Sequence, residues 1–156
     1  MHRYAEALKT NDYLCSTTMD CVFCKIVRGE EPAYVVYEDN DVIAILDKYP
    51  INRGHTLVMP KRHYRDIIEV PSDELCRVIN VTKLVAMAMI KALGAPGVRI
   101  IQNNGADAGQ VIFHMHFHVI PMNGRMAGRH YLTEEEGREV SMALSRAIKE
   151  LLNSRG

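Results

Sequence analysis

Phe113-His114-Met115-His116-Phe117-His118-Val119-Ile120-Pro121 alternates apolar and imidazole side chains. As a strand over 113–121 it sends His114, His116 and His118 to one face and Met115, Phe117 and Val119 to the other, toward a core. Three imidazoles in register are costly polar rings that packing alone does not explain. Alternate residues of a strand stand about 6.6 Å apart, and the outer two of three about 13 Å. With metal–nitrogen bonds of about 2 Å, one ion can take two of the histidines but not all three. Neutral imidazoles attack and exchange protons near pH 7. The preceding segment, NNGADAGQ at 103–110, offers backbone N–H groups to phosphate oxygens.

Outward from this segment the chain carries the punctuation of short strands. Residues 98–102 form one, ahead of the 103–110 loop. Residues 34–38 and 42–46 are β-branched runs around Asp39-Asn40-Asp41, a hairpin signal, and 55–60 is a strand entered through Asn52-Arg53-Gly54. Ser72 is placed to cap a helix that runs to Leu93 and ends at Gly94 and Pro96, with Leu75, Val78, Ile79 and Leu84 at helical spacing. Thr133-Glu134-Glu135-Glu136 is a capping box for a last helix over 133–152, striped by Val140, Leu144, Ala147, Ile148 and Leu151. Short connections among many strands predict an α+β fold: an antiparallel five-stranded sheet with a long helix packed on it and a C-terminal helix. Residues 84–90 (LVAMAMI) are apolar nearly all round, so they need cover on two sides, and a homodimer is expected.

At 156 residues and 47% hydrophobic, the chain can bury one sizeable core, so 20–156 reads as a single domain. Residues 1–19 show little periodicity and read as a poorly ordered N-terminal extension. Nineteen basic side chains balance nineteen acidic ones, so stable nucleic-acid binding is not expected, while a small anionic ligand fits. No apolar run approaches the roughly 20 residues of a membrane span, and no signal-peptide pattern opens the chain, which places it in the cytoplasm. Cysteines stand at 15, 21, 24 and 76. Cys76 lies on the long helix, where core packing is expected. In such a chain Cys21-x-x-Cys24 suits a metal better than a disulfide, and the histidines at 55, 63, 114, 116 and 118 are candidates for two further ligands.

HMHFHVI at 114–120 satisfies the pattern His-φ-His-φ-His-φ-φ, and with CVFCKIVRGEEPAYVVYEDNDVIAILD, NRGHTLVMPKRHY and QNNGADAGQ it resembles the histidine-triad (HIT) superfamily. The likeness covers about residues 21–121. It is close to the small phosphoramidase-like nucleotide-binding branch, and closer still to zinc-containing bacterial and archaeal members with a Cys-x-x-Cys start and a C-terminal helix. The resemblance implies a hydrolase or transferase acting on a substituted α-phosphate of a purine nucleotide, AMP- or GMP-like. His116 would be the nucleophile of a nucleotidyl-histidine intermediate and His118 would contact the α-phosphate. Asn103 would orient the nucleophile, Gly109 and Gln110 would surround the phosphate, Asp47 would hold the ribose hydroxyls, and Phe23, Ile26 and Ile45 would wall the base. It further implies a structural zinc held by Cys21, Cys24, His63 and His114. His55, after its glycine turn, is expected to be structural. Where that branch carries a serine or threonine hydroxyl after Gln110, this chain has Val111. Phosphoramidate cleavage is thereby disfavoured relative to substrates with better leaving groups, such as a dinucleoside polyphosphate or an adenylate. A nucleotide-binding module with little turnover is the alternative, and a zinc-dependent hydrolase a third reading, disfavoured because four protein ligands would fill the ion's coordination sphere.

Overall fold

A computed structural model describes residues 20–155, so the expectations for residues 1–19, Cys15 among them, lie outside the described residues. Asp39 builds the first turn: its Oδ1 accepts the N–H groups of Asp41 and Val42, both at 2.8 Å, closing the chain between β1 (Val35–Glu38) and β2 (Val42–Leu46). β3 (Thr56–Pro60) follows, entered through Gly54 at φ +98°, where an added Cβ would lie 2.6 Å from Leu93 Cδ1. β4 (Gly97–Gln102) and β5 (Phe117–Met122) complete one antiparallel sheet of order β1-β2-β3-β5-β4, as the sequence predicts.

Every residue of β2 and β3 is buried, because both faces of the sheet centre are covered. On one face lie α2 (Ser72–Leu93) and α3 (Glu134–Arg155), whose Val78, Val85, Met89 and Leu144 meet Val58, Met115, Phe117 and Val119. On the other lies α1 (Val22–Val27), a short helix with no periodic signal in the sequence, whose Phe23, Ile26 and Val27 pack on Ile43, Ile45, Leu57 and Met59.

Four local expectations change. Pro71, not Ser72, holds the N-cap position of α2 and makes no side-chain cap bond; its carbonyl accepts Leu75 N–H, and Asp73 and Glu74 in the first turn complement the dipole. Gly94, at φ +64°, ends that helix as expected, and Thr133 Oγ1 accepts Glu136 N–H at 3.1 Å at the start of α3. Cys76 is exposed rather than packed in the core. The strand expected over 113–121 begins only at Phe117, because Met115 N–H is diverted to Tyr64 O at 2.7 Å and residues 112–114 form a bend. The apolar half of the alternation survives, with Met115, Phe117 and Val119 in one core. The histidine half does not: ahead of the strand His114 turns away from its two neighbours.

Candidate active site

His114 turns toward α1. Its Nδ1 is 3.6 Å from both Cys21 Sγ and Cys24 Sγ, and Cys24 Sγ is 3.3 Å from His63 Nδ1. The four candidate ligand atoms all lie within 4.8 Å of one another. A tetrahedral ion with bonds of about 2.3 Å to sulfur and about 2.1 Å to nitrogen sets S···N separations of about 3.6 Å, so this donor set fits one ion. His114 Nε2–H donates to Pro60 O at 2.8 Å, which leaves Nδ1 as the free lone pair facing the sulfurs. Without an ion, hydrogen bonding to Cys24 and burial push the Cys21 thiol up to about 12. Burial depresses His114, but its bonds to the two sulfurs and to Pro60 O prevail and raise it to about 9. Binding of an ion by these groups would therefore release protons.

His116 is 8% exposed, and its Nδ1 lies 2.7 Å from His114 O. A carbonyl only accepts, so Nδ1 carries the proton and Nε2 the lone pair. Burial, with His114 nearby, pushes His116 below the ordinary imidazole range, so Nε2 is unprotonated at neutral pH.

His118 takes the opposite tautomer. Ile51 N–H donates to His55 Nδ1 at 3.0 Å, so the proton of His55 is on Nε2 and points at His118 Nδ1, 3.0 Å away. His118 therefore presents Nε2–H. Burial, with His116 and His55 nearby, pushes His118 down to about 4, and burial likewise lowers His55. The 3.5 Å approach of Asp47 Oδ2 to His55 Nε2 is then a contact of a carboxylate with a neutral ring, not an ion pair. His55 was read from sequence as structural; its alternation with Leu57, whose register partner is His118, is the signal that joins it to the site.

The edge of the Phe23 ring meets His116 at 5.1 Å between centroids and His114 at 5.8 Å. From Phe23 a cleft of about 670 Å³ opens, with Ile26, Ile45, Asp47, Tyr49 and Tyr131 in its wall. The volume suits a small-molecule ligand. Gly109, at φ +92°, packs against the Asn103 amide, which sits 3.8 Å from where its Cβ would be. Gln110 is buried with its amide committed inward: Oε1 accepts Gly105 N–H, and Nε2 donates to Arg65 O, each at 2.7 Å. It braces the 103–110 loop instead of pointing out of it. Asn103, Gly109, Gln110, His116 and His118 are not in the cleft wall, whereas Phe23 is in that wall and touches His116, joining the two regions. Arg129, which the sequence did not single out, lies 3.4 Å from Asp47 Oδ2.

An antiparallel five-stranded sheet with His116 and His118 of the His-φ-His-φ-His-φ-φ segment side by side near a cleft, and His114 turned to the cysteines, is the arrangement of a histidine-triad protein. The HIT domain family model matches residues 28–125, and the chain belongs to this family. A crystal structure of a hypothetical histidine triad nucleotide-binding protein from Sulfolobus tokodaii strain7 is 39% identical, with TM-score 0.80 over 84% of this chain and 93% of that one. A ZN-bound histidine triad family protein from Mycobacterium smegmatis is 36% identical, with TM-score 0.79 over 87% of this chain and 98% of that one. Among curated proteins, adenylylsulfatase HINT3 of Arabidopsis thaliana is 45% identical over 106 residues, 68% of this chain and 54% of that protein. The family therefore includes nucleotide-binding proteins and hydrolases.

Proposed function

We propose that this chain hydrolyses or transfers a substituted α-phosphate of a purine nucleotide through a covalent nucleotidyl-histidine. His116 Nε2 attacks phosphorus, the N–P bond forms as the bond to the leaving group breaks, and water then cleaves the N–P bond to regenerate the imidazole. The observation that carries this reading is the bond from His116 Nδ1–H to His114 O, which leaves Nε2 unprotonated on a ring that touches Phe23 of the cleft wall. His118 Nε2–H serves an α-phosphate oxygen, Asn103 and Gly109 shape the adjacent loop braced by Gln110, and Asp47 takes the ribose between the base walls Phe23, Ile26 and Ile45. His116→Ala should abolish turnover and the acid-labile nucleotidyl-protein seen by intact mass, while nucleotide affinity changes by less than about tenfold. Full hydrolysis of nucleotide substrates by this variant would overturn the reading.

Val111 is 84% exposed and supplies no hydroxyl to a departing group. Losing one donor costs on the order of ten- to a thousandfold when the leaving group needs a proton. Sulfate leaving adenylyl sulfate needs none, and the relative named an adenylylsulfatase supports that direction. Adenylyl sulfate and dinucleoside polyphosphates should outpace an adenosine phosphoramidate in a turnover panel. Failure of all three would favour a binding module with little turnover.

The Cys21, Cys24, His63 and His114 cluster is read as a structural zinc site, since four protein ligands leave no open position for a reacting group. Thiolate zinc ligands persist where cysteines stay reduced, so this reading goes with a cytoplasmic setting. Among the described residues no helix is long and apolar enough to cross a membrane. A homodimer is supported by exposed Ile79 and Ile90 on α2 and by Ile100 on the edge strand β4.

A further inference from the structure

Between β5 and α3 the chain runs as a strap over 123–133, most of it beyond the family match at residues 28–125, and brings Tyr131 and Leu132 to the cleft wall. It is fastened to the β2–β3 connection by several contacts. Asn52 Nδ2 donates to Arg125 O at 3.1 Å, and Ala127 N–H donates to Asn52 Oδ1 at 2.8 Å. Leu132 N–H donates to Lys48 O at 2.8 Å, and the Tyr131 ring meets Tyr49 edge-on at 5.6 Å. Leu132 is buried, so the strap has an apolar anchor beside α3.

Arg129 sits in the middle of this fastening. Its Nη1 donates to Tyr49 O and reaches Asp47 Oδ2 at 3.4 Å, while Asp47 Oδ1 accepts Tyr49 N–H at 2.9 Å. Each carboxylate oxygen therefore has a donor, Oδ1 the Tyr49 N–H and Oδ2 the Arg129 guanidinium, and the two together restrain rotation of the carboxylate plane. A carboxylate has about four lone-pair directions, so both oxygens keep acceptor capacity for a vicinal diol. A rigid carboxylate loses less freedom on binding than a rotating one.

We infer that Arg129 is a positioning residue for ribose recognition: through Asp47 it sets how strongly this protein distinguishes a ribonucleotide from its deoxy analogue. This rests on the proposed reading of the cleft as a nucleotide site. Arg129 does not itself touch the reacting phosphorus. Its removal acts on binding of the sugar more than on the chemical step, through the Asp47 carboxylate it contacts.

The test uses the full chain with AMP, 2′-deoxy-AMP and 3′-deoxy-AMP in equilibrium titrations, and adenylyl sulfate for turnover. The native protein should prefer AMP to the deoxy analogues by about tenfold or more, the order expected when a polar site loses its partner hydroxyl. Arg129→Gln should reduce that preference to less than about threefold and raise KM more than it lowers kcat, and Arg129→Lys should restore part of the preference. In an Asp47→Asn background, Arg129→Gln should change the preference no further. Arg53→Gln, which breaks the surface pair with Glu139, is the control for loss of a loop arginine and should leave the preference intact. Retention of the native preference by Arg129→Gln, with AMP still bound, overturns the role of Arg129 and leaves the nucleotide reading standing. Absence of any nucleotide binding by the native protein overturns both.

Discussion

His116 and His118, two positions apart, are held in opposite tautomers because one Nδ1 meets a carbonyl and the other meets an N–H. One ring is thereby a base and the other a donor, both uncharged, and protonation spoils the first. Since burial lowers His116, kcat/KM should hold as pH falls to 6.5, the ordinary histidine value, and decline only below it, which a pH–rate profile checks. Stability follows the same sign. Below about 6.5 the unfolded chain takes up a proton that native His118 refuses until about 4, so stability is full above 6.5 and is lost as pH drops across that window. The fall in Tm between pH 7 and pH 5 should be smaller in His118→Asn than in the native protein. From sequence, the alternation through 113–121 located these rings but could not reveal their tautomers. Those depend on Ile51 N–H and His114 O, backbone groups whose direction only the folded chain sets.

α2, α3 and all five strands follow from periodicity and turn residues, whereas α1 escaped notice because six residues hold too few turns to show a period. The late start of β5 has a different origin: a hydrogen bond from Met115 N–H to Tyr64 O, distant in sequence, competes with the ladder. The register of the central strands is further fixed at their ends, where Lys61 Nζ reaches Glu38 Oε2 at 2.9 Å with both side chains buried. The pair links the segment after β3 to the end of β1 across β2. Lys61→Met removes the ammonium 2.9 Å from the buried Glu38 carboxylate and should cost about 3–5 kcal/mol, read from urea unfolding. A Glu38→Gln, Lys61→Met double variant should recover much of that loss, since no buried charge then lacks its partner.

The Cys21, Cys24, His63 and His114 cluster spans three regions of the chain, α1, the segment after β3 and the bend before β5. Its ligands were suggested by the Cys-x-x-Cys spacing, while the choice of histidines needed family likeness, because strand alternation alone would have sent His114 toward His116. Removing metal with a chelator should lower Tm by several degrees and release about one zinc per chain, measured by native mass spectrometry and a colorimetric zinc assay. The same cluster bears on how the chain finds its fold. Cys24 stands 39 positions from His63 and 90 from His114. An ion gripped early by the neighbouring thiolates and then by the two imidazoles would shorten the effective loops that the sheet must close, and closing long loops is what slows β-rich chains. Refolding from denaturant should therefore run faster with zinc present than with chelator, as expected of an ion that nucleates the fold.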